Sequence, residues 1–197
     1  LAVCRQKLQD EPSDVQSRVQ LIQSDMRCFE LSRRFPLVTI PFRPFQHLIE
    51  VDDQLACLDC IHRHLAANGK LVVDVFNPSL TALTRDNVGV EEVGGPDFTL
   101  PDGRRVVHRA KIAARDLFKQ VISVELIYDV TYPNGRNERL VHAFSMRDFF
   151  RYELEHILSR AGFTIVAVYG DYERNSYGTT SYPGELIFVA RKRSIVK

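Results

Sequence analysis

The sequence predicts an α/β protein, an open sheet of parallel type interrupted late in the chain by an antiparallel β insertion. Three observations carry that expectation. Two apolar runs, "LVTI" at 37–40 and "KLVVDVF" at 70–76, lack regular alternation and flank a stretch with helical spacing. That is the grammar of a strand–helix–strand unit buried on both faces. From about residue 88 the runs become long and alternating, with turn signals at Pro101-Asp102-Gly103 and Pro133-Asn134-Gly135, as in antiparallel strands with one wet face. A final amphipathic helix and two short strands close the chain.

Taken in order, "LAVCRQKLQDEP" places apolar residues at 1, 4 and 8 and stops at Pro12, which reads as a short amphipathic helix. "VQLIQSDM" at 19–26 alternates and reaches Asp25, a strand ending in an acid. The strand at 36–41 runs into Pro41 and Pro44, with Phe42, Arg43, Phe45, Gln46 and His47 around them. A buried strand that breaks into rings, an arginine and a histidine has the look of a strand stopping at a ligand cleft.

"DDQLACLDCIHRHLAANG" puts acids at a helix start, Leu55, Leu58, Ile61 and Leu65 at helical spacing, and Asn68-Gly69 as a C-cap. The strand "KLVVDVFNP" follows at once. Two or three antiparallel strands are expected between 88 and 146. "MRDFFRYELEHILSRAGF" then sets Phe150, Leu154, Ile157, Leu158 and Ala161 on one side of a helix capped by Gly162. "TIVAVYGDY" and "GELIFVARK" are the closing strands, joined by the polar loop "ERNSYGTTSYP". The expected division is a core of 1–87 and 147–197 with an insertion or cap at 88–146. Ligands of open α/β sheets sit beyond the carboxyl ends of the strands. Asp25-Met26, Pro41 to His47 and Phe76 to Pro78 are therefore expected to face one cleft.

Composition narrows the class. The 197 residues are 45% hydrophobic and 26% charged, ordinary for a globular domain. Twenty-six Lys and Arg against 25 Asp and Glu leave no global field for nucleic acid or an anionic membrane. No apolar run approaches the ~20 residues of a bilayer span, and no signal peptide is visible. Four cysteines in a chain of this length do not read as a disulfide framework, so a reducing cytoplasm is the expected setting.

From residue 1 to 192 the order of pieces resembles the latter part of a class I S-adenosylmethionine-dependent methyltransferase of the small-molecule type. The pieces are "LIQSDMRCFEL", "FPLVTIPFRPFQHL", "IHRHLAANGKLVVDVFNP", "RYELEHILSRAGF" and "VYGDYERN…ELIFVARK". The resemblance implies a Rossmann-like sheet and S-adenosylmethionine as cofactor. It implies that Asp25 accepts from the adenine amino group, that Met26 packs on the ring, and that Pro41 and Phe42 lie beside the methionine part. The insertion resembles the cap of methyltransferases acting on small-molecule nitrogens and oxygens, amino sugars included. The family's glycine-rich loop has no counterpart: no glycine precedes Gly69, and the first residue is leucine. The sheet is thus expected to be incomplete at its N-terminus, and the chain to be a fragment, a truncated gene model or a remnant. Strand 36–41 would then present an open apolar edge, which favours a homo-oligomer.

Each candidate has a plainer alternative beside it. His47 is a catalytic base or orienter, or a histidine capping a helix start. Arg43 binds a substrate anion, or is a surface arginine. Phe45, Tyr172 and Tyr177 are expected at a small-molecule substrate; the alternative for the tyrosines is that they pack a long loop. Cys57, Cys60, His62 and His64 lie on one predicted helix whose 100° steps scatter them, so no metal is expected there. Arg33-Arg34, Arg104-Arg105 and Arg191-Lys192-Arg193 read as solvated charges, with a nucleic-acid patch as the alternative. Two functions remain open: methyl transfer to a small-molecule nucleophile, and a non-catalytic remnant acting in assembly or binding.

Overall fold

A computed structural model describes residues 1–193. Two short helices, α1 (Ala2–Gln9) and α2 (Ser13–Gln16), open the chain and bury no residue. Residues 17–34 follow without regular structure, so the strand expected at 19–26 does not form. The reason is the ladder. A strand needs a neighbour for its amides and carbonyls, and among the described residues this segment pairs with none. Its apolar side chains stay largely wet: Val19 and Ile22 are exposed, while Leu21 and Met26 are half-buried.

Strand β1 (Phe35–Ile40) leads through a 3₁₀ turn at Pro44–His47 into α3 (Val51–His64), which feeds β2 (Leu65–Phe76). β1 and β2 are parallel, with Val38 opposite Leu71 and Ile40 opposite Val73. Asp52 and Asp53 in the first turn of α3 and Arg63 in its last complement the helix dipole. Asn68-Gly69 is not the C-cap the spacing predicts. The helix ends at His64 and the next residue already belongs to β2. Gly69 instead permits a close approach: a Cβ there would lie 2.9 Å from Leu65 Cδ2 and 3.0 Å from the Phe35 carbonyl oxygen. The β1–β2 register shifts beside it. Burial on both faces holds for β2, where Leu71, Val73, Asp74 and Val75 are buried. It fails for β1, where only Ile40 is buried and Leu37 is 52% exposed.

After α4 (Leu80–Thr84) the chain builds a second, antiparallel sheet from β3 (Glu91–Val93), β4 (Phe98–Thr99), β5 (Arg105–Asp116), β6 (Val121–Thr131) and β7 (Asn137–Arg147). Three long strands match the alternating runs; β3 and β4 are short additions that both pair with β5. Gly103 and Gly135 take φ of 83°, the left-handed conformation their turns require. One face carries cross-strand ion pairs, Lys111–Glu125 at 2.5 Å and Arg109–Asp129 at 3.2 Å. The other presents Phe144, Met146 and a stacked His108–Tyr128 pair.

Helix α5 (Arg151–Arg160) and strands β8 (Phe163–Tyr169) and β9 (Glu185–Lys192) return to the first sheet, whose order is β1-β2-β9-β8. β9 runs antiparallel to both neighbours. The core gathers Leu58 and Ile61 of α3, Leu154 and Leu158 of α5, and Phe45, Phe149, Phe163 and Phe188. Each such side chain contributes about 1.5–3 kcal/mol on burial. Among the described residues no helix is long and apolar enough to cross a membrane.

Candidate functional site

The site is built where β1 and β2 end and β9 begins. Beyond Ile40 the chain turns sharply because Phe42 and Arg43 both adopt φ of 65°, in the left-handed region. Non-glycine residues there cost about 1–2 kcal/mol each, so consecutive ones mark a segment the surroundings hold in place. Phe42 stands 88% exposed beside the exposed Pro41. Arg43 folds back: its guanidinium lies 4.0 Å over the Phe76 ring and pairs with Glu185 at 2.5 Å, while its Nε is buried with no partner.

Asp74, buried on β2, accepts a 3.1 Å hydrogen bond from the Tyr172 hydroxyl. Burial, and next the Asp74 carboxylate, push the Tyr172 phenol above its ordinary value, with Arg43 and Glu185 close enough to bear on it. The phenol therefore stays protonated. Tyr177 donates to Asn77 Oδ1 at 3.2 Å, and Tyr182 donates to the Pro78 carbonyl at 2.6 Å. The last loop is thus fastened to the end of β2.

Gln46 joins the two sheets. Fully buried, it accepts from the Phe76 amide and donates to the Arg147 carbonyl, both at 2.8 Å. Its neighbour His47 is exposed, with Nδ1 3.2 Å from the Ser145 carbonyl and the ring edge-on to Phe144 at 5.2 Å. A carbonyl oxygen only accepts, so Nδ1 carries a proton, and in the neutral ring Nε2 is then the acceptor.

The structure therefore brings Arg43, Phe76 and Tyr172 together and sets His47 at the seam with the second sheet. It does not bring Asp25 to them. Asp25 lies exposed in a turn, holding Arg27 by its amide at 2.8 Å and its guanidinium at 2.7 Å, and Arg27 reaches Asp53 of α3 at 2.9 Å. Hydrogen bonds from the Arg27 side chain, then its amide, hold the Asp25 carboxyl down at about 2. Met26 packs against the core. Phe45, expected at the substrate, is 0% exposed and packs on Phe149 at 5.4 Å, because the 3₁₀ turn points it inward. Cys57 and Cys60 are buried, and burial pushes the Cys57 thiol up to about 12. Among the described residues no cluster of three metal-ligating side chains exists.

Asp74, Glu185 and Ser145 escaped the sequence reading, and Gln46, counted there only within the segment 41–47, was not expected as a buried link between sheets. Asp74 had a signal, an acid inside an apolar run. Gln46 had none, since glutamine is mostly a surface residue.

A parallel β1–α3–β2 unit and an antiparallel β9 inserted between β2 and β8 give the chain the Rossmann-like fold of class I S-adenosylmethionine-dependent methyltransferases. No protein-family model matches the chain, and no curated protein matches it in sequence. Among solved structures the chain is similar to the methyltransferase CcbJ from Streptomyces caelestis. That match has 20% identity and a TM-score of 0.78, and covers 96% of this chain and 69% of that one. It is similar to an S-adenosylmethionine-dependent methyltransferase from Clostridium acetobutylicum at 16% identity and TM-score 0.68, covering 89% and 65%. It is also similar to an S-adenosylmethionine-bound amino pentose methyltransferase from Micromonospora echinaspora at 24% identity and TM-score 0.60, covering 86% and 63%. The chain spans about two thirds of the length of these structures.

Proposed function

We propose that this chain works as part of an S-adenosylmethionine-dependent methyltransferase that methylates a nitrogen or oxygen of a small molecule. The observation that carries the reading is the His47 ring, whose Nδ1–H is committed to the Ser145 carbonyl and whose Nε2 is left to take a proton. Bound S-adenosylmethionine would supply an electrophilic sulfonium methyl. Asp25, Met26, Pro41 and Phe42 are the residues that would hold it. Arg27 already engages both oxygens of Asp25, its amide and Nε at Oδ1 and its Nη2 and Nε at Oδ2, so an adenine amino group would have to share an oxygen with Arg27 or displace it.

The chain's own work is then alignment and proton handling. His47 Nε2 receives the proton of an incoming nucleophile, and the Ser145 carbonyl orients the ring. Arg43, fixed on Phe76 and Glu185, and Tyr172, fixed on Asp74, bound the space beside it. The amino pentose methyltransferase among the neighbours supports an amine on a sugar-like acceptor. The reading takes the protein as cytoplasmic and homo-oligomeric, with no nucleic-acid or membrane partner.

The test is methyl transfer to a panel of amino sugars, followed by mass spectrometry. His47→Ala is expected to lower kcat by about 10²-fold or more with KM little changed. An unchanged rate sinks the assignment of the base. The engagement of Asp25 by Arg27 favours a second reading, a non-catalytic relative acting in assembly. Calorimetry with S-adenosylmethionine separates the two. Saturable binding, even weaker than micromolar, supports the enzyme, and none at any concentration supports the remnant.

A further inference from the structure

The opposite end of the first sheet carries a hollow of about 420 Å³, walled by the 30–34 loop, the last turn of α3 and the end of β9. β9 begins at Glu185, in the Arg43 cluster, and ends at Lys192, in this hollow. Seven residue steps at about 3.3 Å put the two places about 23 Å apart. The hollow is not part of the candidate methyl-transfer site.

Its charges do not balance. The lining includes Arg33, Arg34, Arg63 and Lys192 against one acid, Glu30. Arg63 is neutralised by Asp59 on its own helix. Glu30 is 83% exposed in its side chain and turns toward His64, 3.6 Å away. His64 adds no charge to offset: its Nε2 accepts the Leu31 amide at 2.9 Å while Nδ1 donates to the Cys60 carbonyl at 2.8 Å. Lys192 points its Nζ at the His62 and Leu65 carbonyls, at 2.7 and 3.3 Å, and so closes the end of α3. Burial, and then the charge of Arg34, pull the Lys192 amine below its ordinary value. Arg33 has only the Phe35 ring, 4.9 Å away, and Arg34 makes no ion pair or side-chain hydrogen bond among the described residues.

We propose that this hollow, which Lys192 also lines, is a binding site for a phosphoryl anion gripped by the Arg33 and Arg34 guanidiniums. Guanidinium forks match phosphate oxygens two at a time, which gives such a pair both strength and orientation. The bound anion supplies the negative charge that the lining lacks. The same grip serves free phosphate or pyrophosphate and the diphosphate of a nucleotide. The proposal does not depend on methyl transfer.

Calorimetry of the 197-residue chain with pyrophosphate and with ADP tests it. One-site saturable pyrophosphate binding is expected. Arg33→Ala/Arg34→Ala should weaken it by about tenfold or more, while Arg104→Ala/Arg105→Ala, a pair on the distant sheet, leaves it intact. Arg33, Arg34 and Arg105 are exposed and Arg104 is half-buried, and circular dichroism confirms that each variant is folded. ADP binding tighter than pyrophosphate assigns a nucleotide, and equal affinity assigns the free anion. Failure to saturate by about 10 mM, or unchanged affinity in the Arg33/Arg34 variant, overturns the site.

Discussion

Replacing Gln46 by leucine isolates the joint between the two sheets. β1 stops at Ile40, opposite Val73, so the Phe76 amide has no strand partner on that side and takes the Gln46 Oε1 instead, at 2.8 Å. The other end of the side chain satisfies the Arg147 carbonyl at 2.8 Å. Leucine fills nearly the same volume, so the cavity contribution is small and the loss is that of two backbone groups left without partners. At about 1–2 kcal/mol each for partly buried groups, Gln46→Leu should destabilise by about 2–4 kcal/mol. That is a large share of the 5–15 kcal/mol typical of a domain. Urea denaturation followed by circular dichroism reads it as a lower midpoint with an unchanged slope. A loss under about 0.5 kcal/mol would refute the reasoning and mean that water or a shifted backbone serves both groups equally well.

Phe42→Gly should raise stability by about 0.5–1 kcal/mol. Glycine removes the left-handed strain of an 88% exposed side chain and gives back part of the gain through its freedom in the unfolded chain. A fall in Tm would show that the ring makes a contact worth more than the strain. Asp25→Asn should change the acid-unfolding profile. The folded carboxyl sits at about 2 against an ordinary 3.8, so its contribution is complete above about pH 4 and lost as pH falls through about 2. The asparagine variant should therefore be the less stable protein at neutral pH, with the difference closing between pH 4 and 2; a constant difference defeats the assignment. Because β1 pairs only with β2 among the described residues, light scattering is expected to find a species larger than a 22.6 kDa monomer. A monodisperse monomer contradicts it.

Much of the fold was legible because hydrophobic periodicity and turn chemistry are local. The alternation of 105–131 and the Pro-Asn-Gly turn at 133–135 land where the long antiparallel strands and their tight turn are. The segment 19–26 was misread because its pattern is that of a strand while a strand also needs a neighbour, and no local signal reports a neighbour. Gly69 was misread for a related reason. Asn-Gly marks a helix end in sequence, yet the constraint at Gly69 is the approach of Phe35 from another strand. At the site, the segment 41–47 announced itself through prolines and rings, but which rings turn inward depends on two left-handed residues. Phe45 went to the core and Phe42 to solvent. The partners Glu185 and Ser145 lie more than 90 residues from Arg43 and His47, beyond the reach of any spacing rule.

The placement of the second sheet between β2 and β9 has a consequence for how the chain acquires its shape. Val73 pairs with Phe188 across more than a hundred residues, whereas β5, β6 and β7 join through tight hairpins. Closing a long loop carries an entropic penalty that short hairpins avoid, and topologies rich in distant contacts fold slowly. The hairpins should therefore form first and act as a clasp that shortens the effective distance between the two halves of the first sheet. On a ribosome β1, α3 and β2 would emerge early and wait, their apolar strands uncovered, until the last residues arrive. Pulse-labelled hydrogen exchange should find the amides of 121–131 protected before those of 185–192, and the reverse order would rule the clasp out.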